Sequence, residues 1–153
     1  MIATPRSILL AEDSPQDAEM TLNALESFGV ANGIDVVNDG AEALDYLFCR
    51  GAYAERPKQP PVLVLLDLKM PKVDGLEVLR SIKADEALKL IPVVMLTSSR
   101  EEQDVVRSYK LGVNAYVVKP VGFQDFIDAV RQLGVFWTVH NEPSPVDLER
   151  KDP

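Results

Sequence analysis

The sequence predicts an α/β fold in which five parallel strands form a doubly wound sheet with helices on both faces. Short apolar runs alternate along the chain with segments whose apolar residues recur at helical spacing, about five times over. The clearest run, residues 62–66, is continuously apolar, as in parallel strands that are covered on both faces. Alternating strands and helices require right-handed crossovers, which place the helices on both sides of the sheet.

The first two strand and helix pairs come before residue 49. Residues 7–10 form the first predicted strand, and a helix is expected to begin at Ser14 or Pro15 and to end at Gly29. Its apolar positions are Ala18, Leu22, Leu25 and Phe28. Residues 34–37 form the second predicted strand. The second helix is marked by Ala41, Leu44, Leu47 and Phe48.

The later elements repeat this order. After the strand at residues 62–66 we predict strands at residues 93–96 and 115–118. A helix precedes each of the last two strands, and the one at residues 101–111 is closed by Gly112. The apolar positions of the third and fifth helices are Leu76, Val78, Leu79 and Ile82, then Phe126, Ile127, Val130 and Leu133. Residues 50–61, rich in proline, are predicted to form a surface loop.

Length and composition favour one globular domain. The 153 residues are 46% hydrophobic and 26% charged, and we expect a domain at residues 5–139 and a flexible tail at residues 140–153. A formal charge of -8 disfavours nucleic-acid binding. Cys49 is the only cysteine, so no internal disulfide is expected. Neither a secretion signal nor an apolar stretch long enough to cross a bilayer is present, and we expect a cytoplasmic protein without membrane contact.

Polar residues follow the predicted strands at their carboxyl ends, where folds of this kind bind ligands. These residues are Glu12, Asp13, Asp67, Thr97 and Lys119. Converging carboxylates repel one another unless a cation compensates, and their oxygen atoms suit Mg²⁺. We expect Asp13 and Asp67 to bind Mg²⁺ directly and Glu12 to act through water.

A carboxylate beside Mg²⁺ can attack a phosphoryl group and form an aspartyl phosphate. Asp67, at the centre of the predicted cluster, is therefore the candidate phosphoacceptor. The Lys119 ammonium and the Thr97 hydroxyl are expected to stabilise different phosphoryl oxygens. Pro120 follows Lys119, and a cis peptide between them is a hypothesis, because X-Pro bonds adopt cis at modest cost.

These residues, together with Tyr116, resemble the response-regulator receiver family over nearly the whole chain to about Trp137. Within that family the chain is similar to the single-domain, phytochrome-associated group. The features that carry this narrower resemblance are the long segment from Cys49 to Pro61, Leu111-Gly112 and Phe136-Trp137.

The resemblance implies a flavodoxin-like fold and a sensor histidine kinase, such as a phytochrome, that donates a phosphoryl group to Asp67. It implies that Thr97 and Tyr116 act as switch residues, and that the face formed by the fourth helix, fifth strand and fifth helix changes its partner or homodimer contacts. The resemblance also implies that the backbone carbonyl of Lys69 ligates Mg²⁺. The Lys69 side chain departs from the Asn or small polar residue frequent at that position. We expect the protein not to be a turnover enzyme but to assist its own phosphorylation and dephosphorylation.

Other interpretations remain open at this point. Asp67 alone could be a turn or helix-cap residue, and Tyr116 could be a packing residue. A phosphatase of the haloacid dehalogenase type also forms an aspartyl phosphate, but its nucleophile usually lies in an Asp-x-Asp pair near the first strand. A phosphorylation-independent interaction module is a third alternative. A nucleotide-binding domain is disfavoured because no glycine-rich loop follows the first strand.

Overall fold

The computed structural model describes residues 7–28, 33–98, 102–119, 124 and 128. The strands are β1 (Ile8–Ala11), β2 (Ile34–Val37), β3 (Leu63–Leu66), β4 (Val93–Thr97) and β5 (Ala115–Val118). The helices are α1 (Pro15–Phe28), α2 (Gly40–Leu47), α3 (Gly75–Ala84) and α4 (Glu102–Lys110), and a 3₁₀ turn covers Gly51–Tyr53. The fifth predicted helix and the predicted tail lie almost wholly outside the described residues. None of the described helices is long and apolar enough to cross a membrane.

All five strands are parallel and lie in the order β2-β1-β3-β4-β5. In the register of the sheet, Leu10 lies between Val36 and Leu65. The strand order reverses at β1, so a crevice is expected at the carboxyl ends of β1 and β3. The predicted doubly wound, flavodoxin-like α/β fold is confirmed.

Side chains of successive strand residues build two separate cores, one on each face of the sheet. Ile8, Leu10, Leu63 and Leu65 belong to the core that α1 covers. Leu9, Val64, Leu66 and Met95 belong to the core that includes residues of α2 and α3. Each fully buried Leu or Ile side chain contributes about 1.5–3 kcal/mol. Burial on both faces is the reason why the strands are continuously apolar in the sequence.

Side-chain caps stabilise the starts of α2 and α3. The Asp39 carboxylate accepts a hydrogen bond from the Glu42 backbone N–H at 2.7 Å, and Asp74 accepts one from Glu77 at 2.9 Å. Removing such a cap costs about 1 kcal/mol. These caps define the residues at which α2 and α3 begin.

The end of the second helix differs from the prediction. α2 ends at Leu47, and Phe48 is the capping residue, with its backbone N–H bonded to the Leu44 carbonyl at 2.9 Å. Phe48 is 36% exposed. Its apolar character placed it on the helix in the sequence-based prediction, whereas the chain already turns there and Cys49 has a φ of 53°.

Most of residues 50–61 are exposed, as expected for the predicted surface loop, and side-chain contacts also join this segment to α2. The Arg56 guanidinium lies 4.0 Å from the centre of the Tyr46 ring, and its Nε donates to the Tyr46 carbonyl at 2.9 Å. The Tyr53 hydroxyl donates to the Glu42 carboxylate at 2.5 Å. The turn is therefore fastened to α2 by side chains that simple hydrophobic periodicity does not detect.

Candidate functional site

The ends of β1 and β3 bring three carboxylates to one edge of the sheet. Glu12 and Asp13 follow β1 directly, and Asp67 follows β3. Backbone hydrogen bonds continue the sheet at these positions, from Glu12 N–H to the Val37 carbonyl and from Asp67 N–H to the Ala11 carbonyl, both at 3.0 Å. Glu12 and Asp67 are buried, whereas Asp13 is exposed. The edge therefore combines two buried carboxylates with one that faces solvent.

These three side chains have the composition of a site for a hard divalent cation. One carboxylate oxygen from each of Glu12, Asp13 and Asp67 lies within 4.8 Å of the other two. Oxygen ligands with room for water are what Mg²⁺ and similar ions prefer. The donor set thus fits the divalent metal predicted from the sequence.

Lys119, directly after β5, brings a cation to the same edge. Its ammonium donates to the Glu12 carboxylate, to Asp17 Oδ2 at 2.9 Å and, at the longer distance of 3.4 Å, to Asp67 Oδ2. Only 10% of the Lys119 side chain is exposed. The structure therefore brings Glu12, Asp13, Asp67 and Lys119 together, as the sequence predicted.

Burial and charge shift the proton affinities of two of these groups. Burial raises the pKa of Glu12 from 4.5 to about 7, and nearby Asp67 adds to the rise, although the hydrogen bond from Lys119 opposes it. Burial on its own would lower the pKa of Lys119, but the carboxylates of Glu12 and Asp17 outweigh it and raise this pKa to about 12. Lys119 therefore stays charged at neutral pH, while Glu12 titrates near neutrality.

The raised pKa of Glu12 predicts a pH dependence of stability in the metal-free protein. Folded Glu12 holds its proton more tightly than unfolded Glu12, so the free energy of unfolding falls as pH rises from 4.5 to about 7. Glu12→Gln removes this contribution, and we expect its free energy of unfolding to change less over that window. Urea denaturation in EDTA at several pH values measures the difference, with Glu19→Gln on the exposed side of α1 as the control. If the free energy of unfolding falls as steeply with pH in Glu12→Gln as in wild type, another group causes the pH dependence.

The other predicted site residues are less completely described. Thr97 ends β4, but its side chain, like Pro120 and the predicted cis peptide, lies outside what the structure describes. Tyr116 is partly buried and packs against the core on the α2 and α3 face. Lys69 lies two residues after Asp67 with an exposed side chain. The switch roles of Thr97 and Tyr116 and the metal-ligating role of the Lys69 carbonyl stay predictions.

Asp17 is a residue of this site that the sequence reasoning missed. It lies in the first turn of α1, and its carboxylate contacts the Lys119 ammonium across 102 residues of chain. Its place in the first turn of the helix that follows Glu12 and Asp13 was the available signal. An acidic residue in the first turn of a helix is common for electrostatic reasons alone, and this made the signal easy to overlook.

Residues 8–131 of the chain match the response regulator receiver domain. The chain therefore belongs to the response regulator receiver family, whose members act in two-component signal transduction.

Within this family the chain is similar to phytochrome-associated, single-domain response regulators. A solved structure of the bacteriophytochrome response regulator AtBRR is 61% identical, with a TM-score of 0.83, and the match covers 92% of this chain and 100% of that one. Response regulator Rcp1 from Synechocystis is 41% identical over 133 residues, 87% of this chain and 89% of Rcp1.

Two further solved structures concern ligand-bound or modified forms. They are the Mn²⁺-bound form of response regulator Rcp1 and the phosphorylated cyanobacterial phytochrome response regulator RcpA. Each is 40% identical with a TM-score of 0.73, and the matches cover 88% of this chain and 95% and 94% of the respective structures. The narrower resemblance predicted from the sequence is confirmed.

Proposed function

We propose that this response regulator accepts a phosphoryl group on Asp67 from the phosphohistidine of a sensor histidine kinase. The observation that carries the proposal is the position of the Asp67 carboxylate. Its Oδ2 lies 3.4 Å from the Lys119 ammonium, and the carboxylate clusters with those of Glu12 and Asp13. A carboxylate placed between a fixed cation and a candidate metal site is suited to phosphoryl transfer.

The proposed transfer is a displacement at phosphorus. A carboxylate oxygen of Asp67 forms the new O–P bond while the P–N bond to the donor imidazole breaks, and the bonding electron pair stays on the imidazole nitrogen. The Lys119 ammonium stabilises negative charge on one phosphoryl oxygen, and Thr97 is assigned a second oxygen. Asp13, Asp67 and the Lys69 carbonyl would hold Mg²⁺, with Glu12 in the outer layer, and this ion would neutralise charge on the phosphoryl oxygens.

Relatives support both parts of this proposal. Rcp1 has been solved with Mn²⁺, and RcpA has been solved in a phosphorylated form. Mn²⁺ and Mg²⁺ prefer similar oxygen ligands, and the clustered oxygens of Glu12, Asp13 and Asp67 provide them. We assign Mg²⁺ as the working ion of this chain.

The same relatives support a proposal for the partners. AtBRR is a bacteriophytochrome response regulator, and we propose that a phytochrome-type histidine kinase is the phosphoryl donor. Signalling then occurs through changed protein contacts, including those of a homodimer, at the proposed face of α4, β5 and the predicted fifth helix. Thr97 and Tyr116 are the proposed switch residues that couple Asp67 to this face. The predicted domain limits, cytoplasmic location and lack of nucleic-acid binding stay predictions.

The chain is proposed to act as a switch and not as a turnover phosphatase of the haloacid dehalogenase type. Asp67 follows the third strand in chain order, and Lys69 occupies the position where an Asp-x-Asp pair would have its second carboxylate. A phosphorylation-independent interaction module is the remaining alternative. Binding or oligomeric state that does not change after acetyl phosphate treatment would favour that module.

Intact-mass measurement after incubation with acetyl phosphate and MgCl₂ tests the phosphoacceptor. We expect wild type to gain the mass of one phosphoryl group and Asp67→Asn to gain none, because the amide oxygen is a poor nucleophile. Asp45→Asn is the matched control. The Asp45 carboxylate pairs with the Arg50 guanidinium at 3.0 Å and is not a member of the carboxylate cluster. Equal mass gain in wild type and Asp67→Asn would remove Asp67 from the proposal.

A further inference from the structure

The Lys119 ammonium has three N–H donors, and the structure provides three carboxylate acceptors for it. They are Glu12 at the end of β1, Asp17 in the first turn of α1 and Asp67 at the end of β3. The contacts to Glu12 and Asp17 are shorter than the 3.4 Å contact to Asp67. Two acceptors therefore hold the ammonium closely, and the third contact is directed toward the reacting carboxylate.

We infer that Asp17 is a positioning residue for phosphoryl transfer, which orients the Lys119 ammonium so that one N–H remains directed at Asp67. This inference rests on the proposed function and adds a residue that neither the sequence pattern nor the carboxylate cluster identified. An ammonium bound by Glu12 alone could rotate and swing about that contact. The second acceptor, on a different element of the fold, restricts this movement.

The local backbone fixes Asp17 where it can serve this purpose. The Ser14 hydroxyl accepts a hydrogen bond from the Asp17 backbone N–H at 3.2 Å, and the Ser14 backbone N–H donates to Glu12 at 3.1 Å. The start of α1 is thereby connected to Glu12, which contacts the same ammonium. Glu12, Ser14 and Asp17 form one connected frame on one side of Lys119.

Partial exposure limits the size of the effect. The Asp17 side chain is 42% exposed, and ion pairs open to solvent are weakened by water and salt. The expected change in rate is therefore on the order of fivefold, the size that corresponds to a partly exposed charged hydrogen bond. If Asp17 served only the positive end of α1, its replacement would lower the free energy of unfolding slightly and leave the rate of phosphorylation unchanged.

The test is the rate constant of phosphorylation by acetyl phosphate at saturating MgCl₂, followed as an intact-mass time course. A small donor excludes effects on kinase docking. We expect Asp17→Ala to be about fivefold slower than wild type, Asp17→Asn to lie between the two because its amide oxygen still accepts, and Glu19→Gln to match wild type. In a Lys119→Met background, Asp17→Ala is expected to cause no further loss. Thermal unfolding confirms that each variant is folded.

Several results would overturn the inference. One is a wild-type rate constant in both Asp17 variants, and another is an Asp17→Ala effect that persists in the Lys119→Met background. A loss of rate in Asp17→Ala that appears only at subsaturating MgCl₂ would show that Asp17 acts through the metal instead. Failure of wild type itself to gain a phosphoryl group would contradict the proposed function, whereas a phosphorylated wild type with unaffected Asp17 variants would contradict only the role of Asp17.

Discussion

Gly75→Ala is expected to destabilise the protein by about 3 kcal/mol and to slow phosphorylation of Asp67. A Cβ atom at this position would lie 2.3 Å from the Asp67 carbonyl oxygen and 2.9 Å from Leu68 Cα, distances at which backbone atoms must move. The Gly75 N–H also donates to the Leu68 carbonyl at 2.7 Å. The backbone movement that relieves these contacts therefore displaces Asp67, the candidate phosphoacceptor.

Urea denaturation and the acetyl phosphate rate constant measure the two effects separately. Gly33→Ala is the matched control, because a Cβ atom there would have no neighbour within 4 Å, and its stability should lie within about 0.5 kcal/mol of wild type. A Gly75→Ala protein with wild-type stability would contradict the close approach of α3 to the end of β3.

Lys119→Met is expected to reduce the rate constant of phosphoryl uptake by about a hundredfold, the usual cost of removing one donor to developing negative charge. Methionine keeps much of the side-chain length and removes the ammonium that contacts Glu12, Asp17 and Asp67. The exposed Lys110 on α4 provides the control Lys110→Met, which should retain the wild-type rate. An unchanged rate constant in Lys119→Met would show that the ammonium takes no part in transfer.

Lys119→Met is also expected to lower the free energy of unfolding, and the loss depends on pH. Buried Glu12 loses its cationic partner, so its pKa, already raised to about 7 by burial, rises further. Ionising Glu12 then costs more, and Lys119→Met should be destabilised more at pH 8 than at pH 5. Denaturation curves at the two pH values give the comparison. Greater destabilisation at pH 5 would contradict this assignment.

The strands and most of the helices were predictable because their physical cause is local. Residues 62–66 are apolar in every position since both faces of β3 are buried. The clustering of Glu12, Asp13 and Asp67 was predictable from the sequence, because parallel strands end at one edge of the sheet. Their clustering within 4.8 Å agrees with that expectation.

The contacts that the sequence did not reveal join side chains on different elements of the fold. Asp17 meets Lys119 because α1 begins at the edge of the sheet where β5 also ends, and no periodic pattern encodes that contact. The turn after α2 is similar, since Arg56 packs on Tyr46 through a cation–π contact. Phe48 was placed on the helix by its hydrophobicity, although its backbone already leaves the helix.

The most direct test of Asp67 as the phosphoacceptor is to identify which side chain is phosphorylated. Borohydride reduces an acyl phosphate to an alcohol, so reduction of the acetyl phosphate-treated protein converts a phosphorylated aspartate to homoserine. Peptide mapping by mass spectrometry should find homoserine at position 67 in wild type and at no position in Asp67→Asn. Homoserine at position 13 or 17 with an unmodified Asp67 would contradict the central assignment.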